Sequence, residues 1–445
     1  MNGRCVKSRY LNKKSTIFIV AYIIVISIIY LLLNIIYKGY VGELALFLLV
    51  STYFISISFV KDKNIFSPSI GYPLFYVVYY FIGSINITLR GGAIPLDNVY
   101  FFVIGLISYF IGIFLYNSLN KNYKIKITHN YSIRNLRAYG YFFYFVGMLF
   151  LLLPILITKS IPAFEPEVRR DTSSYIIVLT NLSWIGLLLI VFSKMQKFKF
   201  KLNDYLLMLP ILILYFLTGY RTPVLLIILI IMICIHYSYK KISRAKLVMG
   251  GGILFLVSTI IPTIRDNILY GKEHMIGVYT SQGIPENMII FAPVYSVLRE
   301  GPNIFNQLIS SLNGNFLYGK AFLSNYITIL PGDNLNIRYI IAEIINSPSW
   351  VTKTPSIIGF LYLDFGVLSI IIGMFILGVF MQHYYIKIKK NSQDGISLII
   401  FAYFFTASLL GIHSGGFFEP IVVINLIILE VVKKLTTLKN KSKMV

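Results

Sequence analysis

Apolar runs of about twenty residues, unbroken by charge, constrain this chain more than any other feature in it. Residues 17–36 and 99–116 are two of them. At ~1.5 Å of rise per residue, a helix of that length crosses the ~30 Å hydrocarbon core of a bilayer. A membrane barrel would instead show alternating segments of about ten residues. Composition agrees, with 57% hydrophobic and only 13% charged residues and a mean hydropathy of +0.76. That leaves too little polar surface to coat a soluble globule, and in lipid a helix satisfies its own backbone. The sequence therefore predicts an all-α fold, a polytopic transmembrane helix bundle of about twelve spans. They fall at 16–37, 41–60, 69–88, 99–117, 139–158, 175–193, 204–218, 222–238, 247–264, 366–386, 396–412 and 417–432.

Charge orients these spans. With the N-terminus inside, the inner segments carry 28 of the 40 lysines and arginines, although the longest loop lies outside. The positive-inside rule then puts both ends in the cytoplasm. Arg4, Lys7, Arg9, Lys13 and Lys14 flank an uncleaved first span, because no small-residue cleavage site precedes it. The formal charge of +23 needs no nucleic acid, since the clusters at 121–126, 194–201 and 433–443 sit where anionic lipid holds them. The chain divides into a bundle at 1–264, a large outer loop at 265–355, a second part of the bundle at 356–432 and a basic tail at 433–445. Cys5 and Cys234 lie inside or within a span, so no disulfide framework is expected.

The kind of cation differs between the two sides. Inner segments hold 23 lysines and 5 arginines, whereas outer ones hold 5 lysines and 7 arginines. Topology needs positive charge alone, but a planar guanidinium with paired donors suits phosphate and carboxylate. Arg90, Arg169, Arg170, Arg221, Arg265, Arg299 and Arg338 thus suggest an outer anion site. The bland alternative is salt bridging to Glu165, Glu167 or Asp171, or contact with lipid headgroups.

Several local patterns bear on that site. The rise from Lys201 to Gly219 is too short to clear the bilayer, so the turn Gly219-Tyr220-Arg221-Thr222-Pro223 stops below the outer surface. An arginine at that depth faces a polar cavity or a partner, or snorkels outward. Thr222 and Pro223 suit an N-cap and a first helical position, aiming a helix N-terminus at the same place. In the large loop, Ile337, Ile340, Ile341, Ile344 and Ile345 predict an amphipathic helix that lies on the membrane or caps the bundle. A second helix, weaker in pattern, is expected after Gly301-Pro302-Asn303, with Arg299 and Glu300 just before it. Asp364-Phe365-Gly366 breaks the apolar run from Thr354 to Tyr385, predicting an entering helix, a bend and then the tenth span. His413 and Glu419 could move a proton, although Glu419-Pro420 also reads as the start of the last helix. His129, His236, His274, His383 and His413 are scattered, so no metal is implied, and no nucleotide or cofactor fingerprint is present.

The short Arg221 hairpin, the long penultimate outer loop and the run from Pro355 to Gly366 together resemble the oligosaccharide repeat unit polymerases, the Wzy-type O-antigen and capsule polymerases. The resemblance covers most of the chain in layout and implies a GT-C-like bundle, in the bacterial inner membrane, with its site outside. It implies a glycosyltransferase that moves a growing glycan from undecaprenyl pyrophosphate to the non-reducing end of a lipid-linked repeat unit. By that analogy Arg221, Arg265 and Arg299 hold pyrophosphate, while Arg169, Arg170, Arg338, Tyr220 and Asp364 contact the rest of the substrate. Glu300, His274 and Glu419 are the candidate bases. The arginine-to-glycine spacing of some members is absent after Arg169, where residues 179–181 stand. Membrane lipids, a chain-length regulator and a flippase of the same pathway are the implied partners. A lipid-linked oligosaccharide flippase is the rival reading from another class, although it needs two related halves that this sequence lacks. An O-antigen ligase is the nearest rival among enzymes.

Overall fold

The computed structural model describes residues 40–62, 64–85, 98–120, 131–163, 165, 174–195, 202–238, 241–281, 284–328, 337–348, 352–390, 394–415 and 419–437. Regular structure among them is helical apart from one isolated bridge. The first eight helices are α1 (Tyr40–Lys61), α2 (Gly71–Ser84), α3 (Val99–Leu119), α4 (Ile133–Thr158), α5 (Ser174–Met195), α6 (Leu202–Leu217), α7 (Arg221–Ser238) and α8 (Arg244–Tyr270). Then come α9 (Lys272–Ser281), a 3-10 turn (Glu286–Phe291), α10 (Ala292–Leu312), α11 (Lys320–Ile327) and α12 (Ile337–Ile344). The chain closes with α13 (Ser356–Phe365), α14 (Val367–Lys390), α15 (Gly395–Ser414) and α16 (Pro420–Thr436).

Each expected span from the second to the twelfth falls on one of these helices, while the first, at 16–37, lies outside the described residues. By length and composition alone, α3, α4, α5, α14 and α15 could each cross a membrane. The chain is a multi-pass helical membrane protein. Its central helix is α15, with 89% of its apolar window buried against protein, against 28% for the peripheral α4. A helix that is apolar all round becomes either a core helix or a lipid-facing one, and these two show both outcomes.

Small residues set the closest contacts, as expected where lipid competes with every apolar side chain. On the α4–α5 seam, a Cβ built on Gly147 would lie 2.0 Å from the Ser183 nitrogen, and one on Gly186 would lie 2.3 Å from the Tyr144 nitrogen. Gly112 and Gly378 play the same part between α3 and α14, against the Phe375 and Tyr109 carbonyls.

The break expected near Asp364 is real. Gly366 takes φ +61° and ψ −134°, separating α13 from α14, and the Phe316 ring occupies the space that a Cβ would fill. The expectation for Gly301-Pro302-Asn303 needs correcting, because α10 runs straight through Pro302 instead of starting after it. Proline removes the donor to the carbonyl four residues back, that of Leu298. This carbonyl lies against Gly83 of α2, where a Cβ would come within 2.3 Å. Leu298, Ile304, Phe305, Leu308 and Leu312 are buried, and Phe305 meets Phe101, Phe102 and Tyr362. Part of the large loop is thereby built into the bundle. The isoleucine helix α12 caps it, with Ile337 and Ile341 buried.

Polar contacts gather at the two ends. At the lysine-rich end, Asp62 accepts from Tyr385 at 2.6 Å and from Lys389 at 2.9 Å. Asp394 caps α15, accepts from Tyr131 and from the Ser397 hydroxyl, and lies 3.7 Å from Lys433. Burial, then the Asp394 carboxylate, push the Tyr131 phenol well above its usual range, so it remains a donor. Beside it the Ser132 N–H donates to the Thr436 carbonyl at 3.0 Å, and Tyr131 bridges Thr437.

Candidate functional site

Arg299 and Arg338 belong to another group of polar contacts, centred on the turn between α15 and α16. That turn links α15 to α16 and carries His413, at the end of α15, and Glu419, just before α16. His413 Nδ1 and the Tyr79 hydroxyl are 3.1 Å apart, and His413 Nε2 lies 3.9 Å from Glu300 Oε2. Tyr79 comes from α2 and Glu300 from α10, so three helices converge on one imidazole. The His413 and Glu300 side chains remain 36% and 40% exposed, which leaves them open to a substrate. A carboxylate and an imidazole in this order can together take a proton from a hydroxyl, with the tyrosine fixing the ring.

Arg299 is the neighbour of Glu300 on α10. It donates to the Tyr295 hydroxyl and, at 3.4 Å, to the Ile85 carbonyl, and its guanidinium carbon lies 5.5 Å from the Tyr295 ring centroid. Tyr295 itself donates to the Ile85 carbonyl at 2.8 Å. This holds the base of the guanidinium in place. Arg338 of α12 donates to Glu419 at 2.8 Å, tying the isoleucine helix to the same turn. Glu419 thus starts α16 and also holds α12.

The start of α13, packed near Tyr80 and Gly301, is strained. Ser356, fully buried, has φ +65°, a conformation that favours glycine. Its hydroxyl accepts from Tyr80 at 2.9 Å. Gly301 lies above it, since a Cβ there would sit 2.2 Å from the Tyr79 hydroxyl and 2.8 Å from the Ser356 Cβ. Sequence reading missed Tyr79, Tyr80 and Ser356. The adjacent tyrosines inside an apolar span were the available signal, because a buried phenol needs a partner.

The remaining sequence candidates among the described residues lie on other elements. Asp364 is 8% exposed and accepts from the backbone N–H groups of Gly319, Ala321 and Phe322, each at 2.9 Å. Its carboxylate is therefore occupied in fastening the start of α11 to α13. His274 rides on α9 with its ring 5.5 Å from that of Tyr270, and no described contact of His274 reaches the α15–α16 turn. Tyr220 lines a small cleft with Pro162, Ile177 and Thr218. Arg221 opens α7, and Arg265 lies within α8. Pro223 falls at the third position of α7 instead of the first, so the N-terminus begins two residues earlier than its chemistry suggested. Ala163 donates to the Leu217 carbonyl at 2.9 Å, so the chain just after α4 touches the end of α6, next to the Arg221 turn. Gly219, with φ +77°, makes that turn. Arg90, Arg169 and Arg170 lie outside the described residues.

A family model described as "Putative O-antigen polymerase" matches residues 16–426. The chain belongs to this family. An uncharacterized protein of Methanocaldococcus jannaschii is 28% identical over 295 residues, which cover 66% of this chain and 74% of that relative. No solved structure matches. For an O-antigen polymerase the expected work is glycan polymerisation at a membrane, and the convergence of Glu300, His413 and Tyr79 offers an acid–base pair, with Arg299 the sequence neighbour of Glu300.

Proposed function

We propose that this protein is an oligosaccharide repeat unit polymerase. It crosses the inner membrane twelve times, with both ends in the cytoplasm and the arginine-rich end outside. It transfers a growing glycan from undecaprenyl pyrophosphate to the non-reducing end of a lipid-linked repeat unit. The single observation that carries the reading is the approach of Glu300 to His413 beside Arg299, in a chain of this family.

The chemistry follows from the groups present. The Glu300–His413 pair takes the proton of the acceptor hydroxyl as its oxygen bonds to the anomeric carbon. The bond from that carbon to the pyrophosphate oxygen breaks, and its electron pair leaves with the pyrophosphate. Arg299, with Arg221 and Arg265, neutralises the charge as it develops, where a guanidinium fork matches two phosphate oxygens. Arg169 and Arg170 hold the acceptor, and Arg338 steers it through the turn that Glu419 anchors. Tyr220 supports the Arg221 turn. General-base assistance of this kind contributes ~10²–10⁴-fold.

The test uses Glu300→Gln and His413→Asn, expressed at matched levels in a host that lacks its polymerase. Each variant should leave single repeat units in place of long polymer. Wild-type polymer length from both would overturn the assignment of the base. Repeat units trapped on the cytoplasmic side would favour the flippase reading, and long polymer retained on its carrier would favour the ligase.

A further inference from the structure

At the lysine-rich end, α4 and α16 are pinned together by the Ser132–Thr436 hydrogen bond and the Tyr131–Thr437 bridge. Beyond that pin the two helices enclose a groove of about 550 Å³. Its walls are apolar, built from Ala138, Phe142 and Phe143 of α4 and Ile427, Val431 and Leu435 of α16. Phe142, Ile427, Val431 and Leu435 are exposed.

The mouth of the groove is basic. Arg134 stands one turn before Ala138, hence on the same face of α4, and Lys434 adjoins Leu435. Both are exposed, and neither forms a hydrogen bond or ion pair among the described residues. Their neighbours are committed elsewhere, Arg137 to the Ser193 hydroxyl at 3.2 Å and Lys433 to Asp394 and Ser397. Two uncommitted cations therefore stand over an apolar slot. A hydrocarbon chain with an anionic head matches both parts, and basic pockets between transmembrane helices are known to hold anionic lipid heads.

We infer that the groove between α4 and α16 is a binding site for an anionic phospholipid of the surrounding bilayer. One acyl chain lies in the slot, and the phosphate is held by Arg134 and Lys434. The site is separate from the polymerisation chemistry, which belongs to the opposite end of the bundle. Its ligand remains bound and is not consumed.

The experiment is native mass spectrometry of the full chain in detergent. The protein is incubated with equal amounts of an anionic phospholipid, a zwitterionic phospholipid of the same chains and a polyprenyl monophosphate. Wild type should retain one anionic phospholipid after the zwitterionic one has dissociated. The double variant R134Q/K434Q should lower that retention roughly tenfold or more, in line with the contribution of surface cations to anionic lipid binding. Ala138→Leu, at an exposed position, fills the slot without touching charge and should lower it as well. Lys241→Gln, a cation outside the groove, should not. Equal retention of the zwitterionic lipid would overturn the proposal. So would retention unchanged in both groove variants, an equal loss in Lys241→Gln, or displacement of phospholipid by the polyprenyl phosphate. A mass corresponding to two chains in place of protein plus lipid would assign the groove to self-association instead.

Discussion

Removing the Asp364 carboxylate should release the start of α11 without unfolding the bundle. Oδ1 accepts from Gly319 and Ala321, Oδ2 accepts from Phe322, and the whole residue is 8% exposed. Hydrogen bonds to a charged acceptor contribute about 1.5–3 kcal/mol each, yet bonds that share one carboxylate are not additive. Asp364→Ala should therefore cost about 3 kcal/mol locally. With ~1.4 kcal/mol per factor of ten, amides across 319–322 should exchange with deuterium about a hundredfold faster. Asp364→Asn is the finer probe. If its amide oxygen takes the Oδ1 position, the bonds to Gly319 and Ala321 survive and the NH₂ opposes the Phe322 N–H. Its effect should then be about tenfold and concentrated at Phe322. Hydrogen exchange of the purified protein, read by mass spectrometry on peptides spanning 317–327, measures both. Unchanged exchange in Asp364→Ala, together with a raised substrate KM, would refute the structural role and restore Asp364 as a substrate contact.

Three further outcomes are expected. Arg221→Ala should abolish long polymer and Arg221→Lys should restore little of it, because an ammonium lacks the fork that grips two phosphate oxygens; full-length product from both would end that role. The Arg338–Glu419 pair is about a quarter to a third exposed, so a double-mutant cycle on thermal stability with Arg338→Ala and Glu419→Gln should give a coupling of about 0.5–1 kcal/mol. A coupling near zero would show that the pair does not fasten α12. Gly147→Ala should destabilise by about 1–3 kcal/mol, since the new methyl would meet α5 backbone at 2.0 Å. Gly251→Ala, with nothing within 4 Å, should be neutral or slightly stabilising in the same melting assay.

Much of the fold was legible because membrane helices are written locally. Apolar length located α1 to α8 and α14 to α16, and the polar interruption at Asp364-Phe365-Gly366 located the break before the long helix. The isoleucine spacing gave α12. Pro302 misled, because a proline usually marks a helix start. Here close packing on Gly83 stabilises a helix that runs through it. The site was less legible, since its geometry is tertiary. Nothing near Glu300 in sequence announces His413, which is more than a hundred residues away, and Tyr79 is more distant still. Asp364 was noticed for its place in a motif, while its three backbone partners lie more than forty residues earlier.

The pin between Ser132 and Thr436 also bears on the order of assembly. The α4–α5 seam can form as soon as residue 195 has been inserted, but the backbone bond from Ser132 to α16 cannot form until residue 436 has been made. Until residue 394 has been made, Tyr131 also lacks Asp394. A chain stopped short of Thr436 would therefore be a nearly complete bundle with one open corner, and membrane quality control could recognise that corner.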